Sequence, residues 1–149
     1  MKKSRSSNWL HLSFLAAILV MLFLSYMNPW AKGITLLADK SVYASDIEHL
    51  LPAFIFVALV ACVSYFYAQL TRRLFWPAMA LLATGGLMIL LNLYALSKIR
   101  AKDVNILNLD SLSVVNAQYE LGLTLFFVAA GLVILSGLIY LAEAFFKRR

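Results

Sequence analysis

The stretch LGLTLFFVAAGLVILSGLIYLA, running from Leu121 to Ala142, decides the fold. It contains no Asp, Glu, Lys or Arg. A bilayer core about 30 Å thick is crossed by around 20 apolar residues of helix, each rising ~1.5 Å. Three further stretches have the same character: Trp9–Met27, Leu50–Leu70 and Leu74–Ser97. In lipid, a helix satisfies its own backbone hydrogen bonds, which is why such runs become helices. The pattern predicts an all-α membrane protein: one four-transmembrane-helix bundle over residues 1–149, with extracytoplasmic loops at 28–49 and 98–120.

Composition leads to the same class. Hydrophobic residues make up 63% of the chain and charged residues 13%, against roughly 45–50% and 25% in soluble domains. A water-soluble fold of this length could not cover so much apolar surface. The lipid bilayer is therefore the expected surrounding.

The net charge of +6 is explained by where the charges fall. Lys2, Lys3, Arg5, Arg72, Arg73, Lys147, Arg148 and Arg149 share one side of the predicted membrane with only Glu143, a balance of +7. Lys32, Lys40, Lys98, Arg100 and Lys102 face Asp39, Asp46, Glu48, Asp103, Asp110 and Glu120 on the other, a balance of −1. Cytoplasmic segments carry the excess of Lys and Arg. Both termini are expected in the cytoplasm, in a bacterial inner (cytoplasmic) membrane, with both long loops outside. The basic clusters read as orientation signals and headgroup contacts. No nucleic-acid partner is expected, because no RNA- or DNA-binding motif accompanies the charge.

The first span follows a basic segment, as a signal peptide would. Its apolar run is longer than the usual ~7–15 residues, and Asn28-Pro29-Trp30-Ala31 lacks a small residue three before a cleavage point. A retained signal-anchor helix is the expectation. Aromatic residues mark the interfaces: Trp9, Trp76 and Tyr140 at the inner ends, Tyr26, Trp30, Tyr94 and Tyr119 at the outer ends. Such rings keep an apolar body in lipid and a polar tip wet.

Thr71-Arg72-Arg73 is so short a connection that spans two and three must form an antiparallel hairpin. Pro52 and Pro77 fall where a helix begins, where a missing N–H costs least. In the fourth span Gly122, Ala129, Ser136 and Glu143 recur every seven residues, flanked by Ala130, Gly137 and Ala144. Seven residues are nearly two turns, so the small side chains form one stripe along which helices approach closely. Gly122, Ala129, Ala130, Ser136 and Gly137 are thus the candidate packing face, serving this bundle or docking a membrane-protein partner or second copy. Val133 is read as lipid-facing, and Glu143 as pairing with Lys147 four residues on.

The outer loops are neither Gly/Ser-rich nor Pro-rich, so they are not simple tethers. Ile34-Thr35-Leu36-Leu37, Val104–Leu109 and Val114-Val115 either pair as short strands over the bundle or lie in the interface as amphipathic turns. Trp30, Tyr43 and Tyr119 are the aromatics placed to contact a partner outside. Two outer loops, a short inner turn and Trp30 soon after the first helix resemble the claudin-like tetraspan layout. That family's first-loop Gly-Leu-Trp and paired cysteines are missing here, and its function is not carried over.

Several chemistries lack their residues. Cys62 is the lone cysteine, so paired-thiol redox chemistry is excluded within one chain. His11 and His49 fall at opposite ends of their spans, too far apart for a shared haem. Asp46, Glu48 and His49 read as a hydrated, helix-capping group rather than a metal site. Coupled transport requires an ionisable group inside the membrane. Small multidrug-transporter-like proteins carry that carboxylate in their first helix, where Leu10–Met27 here offers only His11, Ser13, Ser25 and Tyr26. No cofactor, no metal and no catalytic residue is expected. The reading that remains is an accessory or scaffold subunit of a membrane complex; the alternative is a multi-span immunity protein that binds a toxin or effector in the membrane.

Overall fold

A computed structural model of the chain describes the backbone over residues 5–27, 50–100 and 109–147, and the side chains over 8–27, 50–95 and 121–146. Every regular element in these segments is helical. In chain order they are α1 (Arg5–Tyr26), α2 (Leu51–Thr71), α3 (Phe75–Arg100) and α4 (Leu109–Lys147). Each contains a stretch long and apolar enough to cross a bilayer: Asn8–Tyr26, Leu51–Thr71, Phe75–Ala95 and Leu121–Phe146. The chain is an integral membrane protein by that measure.

The helices begin and end where local chemistry says they should. Pro52 occupies the first turn of α2, where no intrahelical N–H is needed. α2 stops because Arg72 turns left-handed (φ 58°, ψ 13°), its N–H closing back on the Ala68 carbonyl at 3.1 Å. Thr71 Oγ1 donates to the Tyr67 carbonyl at 2.7 Å and accepts from the Arg73 N–H at 3.3 Å. The tight turn leaves α3 no choice but to run antiparallel to α2.

Packing is up-down-up-down. α4 lies against both α1 and α3, with α3 its most extensive neighbour, and α2 touches α1 and α3. Opposite chain directions are visible at both ends. Near the α1 N-terminus His11 meets Glu143, close to the end of α4. Near the α1 C-terminus Tyr26 packs edge-on against Phe54 of α2, and Phe54 against Phe126 of α4, with centroids 5.4 and 5.2 Å apart. The end bearing the α1 N-terminus, the Arg72-Arg73 turn and the α4 C-terminus is here called the basic end.

Each helix buries one narrow stripe. On α2 this is Phe54, Val57, Ala61, Ser64 and Ala68, three or four residues apart as a single helical face requires. The remaining faces expose large apolar groups such as Phe56, Leu59, Val63, Leu87, Leu90 and Leu135. That is an arrangement suited to lipid, not water.

Two expectations about α4 are corrected. Residues 109–120 are helix, so Val114-Val115 form no strand and the link from α3 to α4 shortens to 101–108. β-Branched residues favour strands only weakly, and a continuous hydrogen-bonded helix overrides them. This leading segment of α4 extends about 18 Å beyond the apolar span, at ~1.5 Å per residue. The second correction is Val133, which is fully buried rather than lipid-facing. The arithmetic that aligns residues seven apart also places the midpoints Phe126, Val133 and Tyr140 on the same face. All three are buried, so large residues alternate with small pairs down one seam.

Candidate functional site

Near the two ends of the bundle, polar side chains tie one helix to another, while Ser64, Thr84 and Ser136 are buried between those ends. At the basic end, Tyr140 and Glu143 stand three residues apart on α4 and so share a face. Against that face lies His11 of α1, only 3% exposed. Its ring stacks on Tyr140 with centroids 3.9 Å apart and planes 6° from parallel. Its Nε2 is 3.0 Å from Glu143 Oε1. An ionised Glu143 can only accept, and Nε2 then carries the proton and donates. In the neutral ring that tautomer leaves Nδ1 a buried acceptor, and neither it nor the buried Asn8 Oδ1, one turn away on α1, has a partner in the structure.

This cluster revises three readings. Glu143 is drawn into the α1–α4 contact; the side chain of Lys147, its expected partner, lies outside the described residues. It also falls inside the apolar span, which extends to Phe146, so an ionisable pair does sit at the edge of the membrane region. Tyr140 is not an interfacial marker; it is buried beneath His11. Trp9 and Trp76, by contrast, are both exposed at this end.

At the opposite end, α4 is held from both sides. Ser25 Oγ of α1 donates to the Gly122 carbonyl at 2.8 Å, and Asn92 Nδ2 of α3 donates to the Leu123 carbonyl at 2.6 Å. Asn92 therefore does not reach out to water; it is buried. Consecutive carbonyls on α4 each spend a second lone pair on a neighbouring helix. From Gly122 to Glu143 is about 30 Å of helix, close to the thickness of a bilayer core.

Between the polar ends runs the small-residue stripe. Gly122, Ala129, Ala130, Ser136 and Gly137 are all buried within this chain's own bundle. A Cβ built on Gly137 would sit 3.1 Å from the Ala78 carbonyl oxygen and 3.0 Å from Leu82 Cγ of α3. On the facing helix, a Cβ on Gly85 would collide with Ile134 of α4. Gly86 faces open space, with nothing within 4 Å of its Cβ position. Of the Gly85-Gly86 pair, Gly85 makes the close contact.

Among the described residues no group of three His, Cys, Asp or Glu side chains could hold a metal, and Cys62 is half-buried in α2. Asp46, Glu48, His49, Trp30 and Tyr43 lie outside the described residues. Tyr119 falls within α4, its side chain likewise undescribed. Compared with known protein families, curated proteins and solved structures, the chain finds no match.

Of these features, the stripe and the antiparallel hairpin were readable from spacing. The His11–Tyr140–Glu143 cluster was not. Its one trace in the sequence is that Tyr140 and Glu143 share the packed face of α4, which calls for a polar partner on whichever helix covers it.

Proposed function

We propose that this protein is a non-catalytic accessory or scaffold subunit of a membrane complex, in a bacterial inner membrane with its basic end in the cytoplasm. The observation that supports this is the use made of its interior. Ser25, Asn92, His11 and Glu143 bond helix to helix, and on α4 Gly122 meets α1 and Gly137 meets α3. Polar groups committed in this way hold the bundle together and are not offered to a substrate. Activity then belongs to the surface, through outer-segment aromatics such as Trp30, Tyr43 and Tyr119 and through outward helix faces.

Affinity purification of the tagged chain from native membranes in mild detergent tests this, followed by intact-mass measurement of the eluted assembly. The expected result is a second membrane protein, or a second copy, at fixed stoichiometry. Tyr43→Ala should reduce its recovery while leaving expression and membrane insertion unchanged. Elution of a lone chain at monomer mass, from wild type as well as variant, would overturn the proposal.

A further inference from the structure

Closing the hairpin requires the turn's backbone geometry but not the two arginines that occupy it. Arg72 is the one non-glycine residue with positive φ among the described residues, at a helix-ending position where glycine would adopt the same backbone without steric cost. The turn is nevertheless held firmly. The Arg72 N–H bonds to Ala68 O, the Arg73 N–H to Thr71 Oγ1, and Thr71 Oγ1 to Tyr67 O. Both arginines are exposed, and among the described residues neither has an acidic partner. Two exposed guanidinium groups, without an acidic partner among the described residues, stand on consecutive positions of a fixed backbone turn, and guanidinium matches phosphate oxygens in bidentate geometry.

The surroundings identify which phosphate. The turn joins two apolar spans, so it lies at the membrane surface. Leu70, immediately before it, is 83% exposed, and Phe66, Phe75 and Trp76 on the adjoining helix turns are exposed as well. These side chains face lipid, so the phosphates nearest the turn are those of phospholipid headgroups. A phospholipid whose headgroup is held by Arg72 and Arg73 lays its acyl chains along them, with Trp76 at the headgroup boundary. We infer that the Arg72-Arg73 turn is a binding site for the phosphate of an anionic phospholipid headgroup.

The full-length chain is purified into mixed micelles holding equal phosphatidylglycerol and phosphatidylcholine, and the retained lipid is counted by native mass spectrometry. Wild type should retain phosphatidylglycerol in roughly thirtyfold preference, the scale expected for two basic groups near an anionic surface. Arg72→Gly with Arg73→Gln should abolish the preference; glycine suits the left-handed position, so the hairpin stays folded, and an unchanged melting temperature verifies that. Replacing Lys147, Arg148 and Arg149 together by Gln removes more charge from the same end and should leave the preference intact. Equal loss in that control, or retention in the arginine variant, overturns the site. So does displacement of the bound lipid by inorganic phosphate at equal concentration, which would assign the turn to a soluble anion.

Discussion

His11 of α1 lies face to face with Tyr140 of α4, ring centroids 3.9 Å apart, while its Nε2 reaches Glu143 one turn further along the same helix. One side chain thus meets α4 twice, by stacking and by hydrogen bond. The first and last helices of the chain are joined there, across 132 positions of sequence.

That contact should appear as a coupling energy. His11→Ala is expected to destabilise the bundle by about 2–4 kcal/mol, from lost packing and an abandoned partner. A double-mutant cycle with Glu143→Ala, followed by unfolding in mixed detergent, should give a coupling of about 1–3 kcal/mol. Strict additivity of the two changes would mean that the hydrogen bond contributes nothing.

The glycines divide by what lies opposite. Gly137→Ala places a methyl against the Ala78 carbonyl oxygen, which belongs to backbone and cannot rotate away, and should cost about 1–3 kcal/mol. Gly86→Ala meets nothing within 4 Å and should be neutral, or stabilising by up to ~1 kcal/mol through helix propensity. Detergent melting temperatures for the two variants, measured side by side, should move in opposite directions or differ clearly; equal shifts would refute the α3–α4 contact.

At the far end of the bundle, Asn92→Leu removes the bond to Leu123 O, and Ser25→Ala the bond to Gly122 O. Each should cost about 0.6 kcal/mol and at most ~1.7 kcal/mol, the average and the maximum measured for hydrogen bonds between membrane helices. Unfolding free energies identical to wild type for both variants would argue against these ties.

Along the seam, Ala129→Leu overpacks a fully buried site and should cost about 1–3 kcal/mol. Val133→Ala opens a hole on the same face and should cost about 2 kcal/mol, lost burial and cavity combined. Val128→Ala, at an exposed position, is the control and should be nearly silent. Matching losses at positions 128 and 133 would contradict the burial of Val133 and the exposure of Val128.

Orientation is testable by fusion. Alkaline phosphatase joined after Asp39 or after Ile106 should be active, and after Arg73 inactive, as expected from the +7 against −1 distribution of charge. The opposite pattern would invert the topology.

Four spans, their approximate limits and the hairpin at Thr71-Arg72-Arg73 could be read from the sequence by itself. Length, hydropathy and charge are properties of consecutive residues, and a bilayer imposes a fixed length on each helix. Spacing likewise identified the buried stripe of α4, because residues seven apart share a face of any helix. Val133 shares that face by the same spacing, midway between the small pairs. Tertiary structure alone decided which helices cover that face. The choice that α1 and α3 flank α4 rests on how side chains far apart in sequence fit and bond: His11 with Tyr140 and Glu143, Ser25 with Gly122, Asn92 with Leu123, and Gly137 beneath the Ala78 carbonyl. No local pattern encodes such pairings, because each partner contributes only half of the contact and both halves must meet before either can be recognised.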